Sequence, residues 1–222
     1  MQDVYTDKSV AAIIELHSAT LGRDRSSLSI SEFLSLQADT LLEAHSRGDH
    51  SVLFHLACWC KPLIGKPHDQ IMDKPITLAM AQQTIASEYG YTNWTDTEKL
   101  RSTPFNLNFE NCVDAMLAGD AATMQSLLES TPELATQRSQ HGHRASLLHY
   151  LAANGVESYR QVTPFNAALL AHNLLEAGAE VNATANIYGG SQPLGLLVSS
   201  AHPANAGVVD DVAEVFRMAG AI

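Results

Sequence analysis

Short helical signals that end in glycine recur along this chain, and the recurrence constrains its fold more than any other feature. Ala44-His-Ser-Arg-Gly48-Asp49 matches Ala115-Met-Leu-Ala-Gly119-Asp120, and Leu53 and Leu56 then match Met124 and Leu127. Leu174-Leu175-Glu-Ala-Gly178-Ala179 matches Val215-Phe216-Arg-Met-Ala-Gly220-Ala221 with one extra residue. Glycine at a helix end lets the backbone turn left-handed without steric cost. One such unit cannot bury its own apolar face, so neighbours must stack on it. The pattern predicts an all-α chain built from stacked helix pairs.

Composition agrees with that expectation. Apolar residues make up 45% of the 222 and charged residues 17%, which is enough for a real core. Aromatics are only 6%, and Ala and Leu supply most of the apolar content, which suits helices in close contact. A formal charge of −11 with 13 dispersed basic residues argues against nucleic acid, because phosphate binding needs clustered Lys and Arg. An acidic surface instead favours a cationic partner. Cys58, Cys60 and Cys112 are too few for a disulfide framework, and C-W-C is not a redox spacing. The N-terminus lacks a basic start followed by an apolar run, and no stretch approaches 18 uninterrupted apolar residues. The expectation is a cytoplasmic protein with reduced thiols and no membrane partner.

Residues 1–108 read as a helical leader. Val10, Ile13, Ile14 and His17 fall at helical spacing ahead of Gly22, and Ser29-x-x-Glu32 forms a capping box before Phe33 and Leu34. A helix through Leu41 and Leu42 ends near Gly48, and another runs from about His50 to Cys60. Lys-Pro then recurs at 61–62, 66–67 and 74–75, which predicts an extended connector. Thr77 caps a helix that ends at Gly90, and Trp94 to Leu107 reads as a turn-rich stretch.

From Phe109 the text resembles ankyrin repeats. Ser146-Leu-Leu-His149-Tyr-Leu-Ala152-Ala153-Asn-Gly155 is similar to the opening of a repeat, and Leu174-Leu-Glu-Ala-Gly178-Ala-Glu-Val-Asn182 to its close. A following unit opens at Gln192-Pro193-Leu194-Gly195 and closes at Ala219-Gly220-Ala221-Ile222, and a more degenerate one precedes it from Ala115. The leader around Ala81 to Trp94 is similar to one found before ankyrin repeats in a group of bacterial proteins. The resemblance implies a helical solenoid of about three repeats over 109–222, with the leader as its N-terminal cap. It also implies that His149 hydrogen-bonds between neighbouring loops.

The spacing departs from a plain array. Gly119 to Gly155 spans 36 residues, near the usual repeat length of about 33, but Leu128 to Leu175 spans 47. Insertions are therefore expected between the helices of the last two repeats, at Glu157 to Phe165 and Ser200 to Asp210. Two insertions at one place in consecutive repeats should lie side by side, often on a functional face.

Catalytic motifs are absent. His141-Gly-His143, even with His149 nearby, lacks the further ligands that zinc needs, so no metal and no cofactor is expected. Ser191 has no nucleophile-elbow context, and Gly189-Gly190 has no phosphate-loop lysine. The candidate binding residues are His143, Arg144, His149, Tyr150, Asn154, Asn186 and Tyr188 on fingers and inner-helix starts, with Tyr159 and His202 in the insertions. They suit a module that binds a protein partner through its concave face and fingers. A second reading stays open: the leader and insertions roof the groove into a small-molecule pocket. There His or Tyr would move protons without a metal, as an isomerase or cyclase does.

Overall fold

A computed structural model describes residues 4–222; residues 1–3, which the sequence reading counts with the leader, lie outside the described residues. The described residues hold fourteen α-helices, four short 3-10 helices and one two-stranded sheet, an all-α architecture. The chain divides into two compact units, one of residues 8–105 and one that joins residues 4–7 to 106–222.

The first unit holds α1 (Lys8–Leu16), α2 (Ser18–Leu21), α3 (Ile30–Ser46), α4 (Leu53–Trp59), α5 (His68–Asp73), α6 (Leu78–Glu88) and α7 (Trp94–Glu98). Ser29 caps α3 reciprocally: its hydroxyl accepts from the Glu32 N–H, and the Glu32 carboxylate accepts from the Ser29 N–H. Thr77 caps α6 through the Met80 N–H. Helix α6 packs against α3 and α4, and the core includes Phe33, Leu34, Leu41, Leu56, Ile85 and Tyr89.

Two expectations in this unit need correction. The Lys-Pro stretch is not extended throughout, because α5 fits between Pro67 and Pro75. Proline is compatible with a helix start, where its missing N–H costs nothing, and only disfavours helix in the residue before it. The stretch after Trp94 holds α7, whose N-cap Asn93 accepts from the Asp96 N–H.

The second unit contains three helix pairs: α8 (Leu107–Leu117) with α9 (Ala121–Ser130), α10 (Leu147–Leu151) with α11 (Ala167–Glu176), and α12 (Pro193–Ser199) with α14 (Val209–Met218). Helix α10 packs between α8 and α12, and α11 between α9 and α14, so the pairs stack in two rows. Helix ends repeat one device. The N–H of Asp120, Ala179 and Ala221 donates back to the carbonyl of Ala115, Leu174 and Phe216, five residues earlier, around a left-handed Gly119, Gly178 or Gly220. Asp49 and Tyr91 do the same in the first unit, onto Ala44 and Ala86.

The insertions meet. A strand at Thr163–Pro164 (β2) pairs antiparallel with Val4–Tyr5 (β1), and α13 (Ala201–Ala206) packs on both. Asn205 also donates to the Tyr5 hydroxyl at 3.1 Å. That pairing explains why residues 4–7 belong to the second unit rather than to the leader.

Gly155 is a glycine this stack tolerates poorly when it is replaced. Its φ is +72°, and a Cβ there would sit 2.2 Å from Ile187 Cγ2, whereas a Cβ on Gly178 would meet nothing within 4 Å. Gly155→Ala is therefore expected to cost about 2 kcal/mol more than Gly178→Ala, since both bear the left-handed strain and only one adds overpacking. Thermal unfolding of the two variants side by side checks this, and equal losses would refute it.

Candidate functional site

Two consecutive links cross from one helix pair to the next, and they are tied together. The Asn186 N–H donates to the His143 carbonyl at 2.7 Å, and its side-chain amide donates to the Gly142 carbonyl at 2.9 Å. Arg138 donates to the Thr184 carbonyl at 2.9 Å. At the tips stand Arg144 and Tyr188, both exposed and both in the left-handed region, with φ of 54° and 45°. Such backbone costs on the order of 1–2 kcal/mol for a residue with a Cβ, and it usually falls to glycine. The Arg144 guanidinium has no partner among the described residues. Tyr188 donates to the Asn154 side chain at 3.2 Å, and Asn154 in turn donates to Ser199 at 3.1 Å.

Beneath the tips, His143, His149 and Tyr150 turn inward. His149 is fully buried; its Nδ1 accepts from the Ser146 N–H, which puts the proton on Nε2 and lets it donate to the Ser191 carbonyl at 3.2 Å. Burial above all holds its pKa down at about 4, with Arg138 and His143 adding to the effect and the Ser191 carbonyl opposing it. His143 accepts the Ala145 N–H on Nδ1 and turns Nε2 toward Glu157, 3.6 Å away. Tyr150 donates to Glu157 at 3.0 Å.

Glu157 is thus the hub of a sealed polar network. Arg160, from the same insertion, lies 3.5 Å from it and makes 2.8 Å ion pairs with Glu110 and Asp114 of α8. Its guanidinium also stacks on Tyr150 and Tyr159, 5.6 and 5.4 Å from the ring centroids. Burial would raise the Glu157 pKa, but His143, Arg160 and His141 outweigh it and hold the carboxyl below the usual range. Burial, and then the Glu157 charge, push Tyr150 well above an ordinary phenol. The convergence of His, Tyr, Arg and Glu is real, but the clefts of about 210 to 560 Å³ found on the described surface are lined by none of these residues.

The selected residues therefore separate into two sets. Arg144, Asn186 and Tyr188 are exposed, with Asn154 half-buried beside them; His143, His149 and Tyr150 are internal and closed to a partner. Tyr159 and His202 are half-buried in the insertions, and burial lowers the His202 pKa against the pull of Asp7. Glu157, Arg160 and Glu110 were not among the expected residues. Neither was a second buried chain, in the first unit, where His17 Nε2 lies 3.1 Å from His55 Nε2 and His55 Nδ1 lies 2.7 Å from Glu88. Their separations in sequence follow no motif, so no local signal marks them. Among the described residues no group of three or more His, Cys, Asp or Glu is arranged to hold a metal ion, and no helix is long and apolar enough to cross a membrane. No protein-family model matches the chain, and no curated protein or solved structure is significantly similar to it.

Proposed function

We propose that residues 109–222 are an ankyrin-repeat stack that binds a protein partner through its fingers, with Arg144 and Tyr188 as anchors. The observation that carries this reading is the placement of two large, exposed side chains in left-handed backbone where glycine would cost least. Strain kept at an exposed tip, where the Arg144 guanidinium has no partner among the described residues, is accounted for by what the side chain contacts outside. Arg and Tyr are also the residue types that most often dominate protein interfaces. An unpaired guanidinium on a chain of net charge −11 suits a carboxylate on the partner. The repeat reading draws support from the glycine turns, the bonded links and the His149 bridge between Ser146 and Ser191.

One pair of variants tests function and strain together. Arg144→Gly should leave the fold intact and raise its stability by up to about 1 kcal/mol, as left-handed strain is relieved, and Tyr188→Gly should gain less, because it also gives up the bond to Asn154. The same variants should weaken partner binding at least tenfold, the usual exchange of stability for activity. A photo-crosslinker at position 144 or 188 should capture the partner, while one at Gln125, on α9, should not. A partner held equally well by the doubly substituted protein would overturn the proposal.

A further inference from the structure

An open cleft of about 560 Å³ lies wholly within the first unit, among α3, α6 and α7 and the link before α3. Leu28, Leu36 and the Trp94 ring give it apolar walls, and each is partly exposed. Its polar groups divide into those already used and those left open. Glu32 is engaged by the Ser29 N–H and hydroxyl, both at 2.8 Å, whereas Glu98 holds Arg101 through Oε1 at 3.0 Å and keeps Oε2 open. Arg23 and Gln82 have no side-chain partner among the described residues, and the Ser31 hydroxyl donates to none. That size suits a ligand of small-metabolite dimensions, walled by apolar groups and fixed by a few polar ones.

Charge narrows the ligand class. Two guanidiniums and two carboxylates line the cleft, so neither a polyanion nor a simple cation meets a uniform field. A phosphate would face Glu32 and Glu98 on a protein that is already strongly acidic. A purely apolar guest would cover Arg23 without satisfying it, which is costly. A molecule with both signs and an apolar body satisfies every wall. We propose that this cleft binds a free α-amino acid with an aromatic side chain as its zwitterion. Arg23 takes the carboxylate, Glu98 the ammonium, and Trp94 with Leu28 and Leu36 the ring. Gln82 and Ser31 complete the hydrogen bonds to the carboxylate. This site is independent of the fingertip reading.

The test is titration of the isotopically labelled full chain with L-phenylalanine, following the Trp94 indole N–H and the Gln82 amide by NMR. Both signals should saturate with one dissociation constant of about 1 mM or tighter. On the unaltered protein, 3-phenylpropionate, which lacks the ammonium, and phenethylamine, which lacks the carboxylate, should each bind at least about tenfold more weakly. Arg23→Ala should lose about tenfold, and because Arg23 is exposed and unpartnered, its removal leaves the fold in place. Arg144→Ala should bind as the parent does. No saturable shift up to about 50 mM, 3-phenylpropionate binding as well as L-phenylalanine, or Arg23→Ala binding unchanged would each overturn the assignment.

Discussion

Arg160→Met is expected to lower the unfolding free energy by about 3–5 kcal/mol, the largest effect of any single substitution considered for this chain. Arg160 is paired with both Glu110 and Glu157, which are 2% and 0% exposed. Methionine fills much of the same volume, yet it strands two carboxylates away from water, with the Tyr150 hydroxyl and the imidazoles of His141 and His143 left beside Glu157. The carboxylates must then be buried unpaired or take up protons, and either course is costly. Glu157→Gln should cost less, about 1–3 kcal/mol, because the amide oxygen still accepts from Tyr150 while the charge is lost. Urea unfolding followed by far-UV circular dichroism measures both. Trp59 and Trp94 lie in residues 8–105, so tryptophan emission reports the first unit separately. A loss under about 1 kcal/mol for Arg160→Met would show that the network adds nothing net.

Mild acid should destabilise the second unit before Glu157 protonates. The folded pKa of His149 is about 4, below the 6.5 of a free imidazole. The unfolded chain therefore binds a proton that the folded one refuses. Stability is fully present above pH about 6.5 and falls as pH drops from there toward 4, by about 3 kcal/mol in all. Glu157 acts in the same sense but in a lower window. Its pKa is depressed in the fold, so its contribution persists through this range and is lost only as pH falls through its own folded value. In the first unit, burial and then the neighbouring His55 hold His17 well below 6.5, so the same sign applies there. The direct check is the imidazole titration of His149 by NMR. A midpoint near 6.5 would remove the basis for the predicted loss.

Much of the helical framework could be read without coordinates. The Ser29–Glu32 box, the Thr77 cap, the glycine turns and the bridging role of His149 all depend on residues a few positions apart, or on a motif that carries its own partner. The side-by-side insertions also followed from spacing alone. The short helices α5 and α7 were harder. Proline punctuation around α5 and the polar character around α7 outweighed their weak local signals, and Asn93-x-x-Asp96 is the cap that would have revealed α7.

The candidate site divides along the same line. Arg144 and Tyr188 were legible as exposed finger residues, because a turn between two helices has nowhere else to put them. Their left-handed backbone was not, since φ is set by the links bonded on either side. Glu157 and Arg160 carried no signal beyond their place in the first stretched link, because polar side chains in such a link ordinarily face water. Sequence by itself determined the helix pairs, their ends and the place of the stretched links, since helix formation and its termination are local. Only the tertiary structure decided that the first of those links turns inward and seals His143, Tyr150 and α8 around one carboxylate and one guanidinium. A buried charge is tolerable only when its partners arrive together. Here they come from a finger, two helices and an insertion spread over about fifty residues, from Glu110 to Arg160.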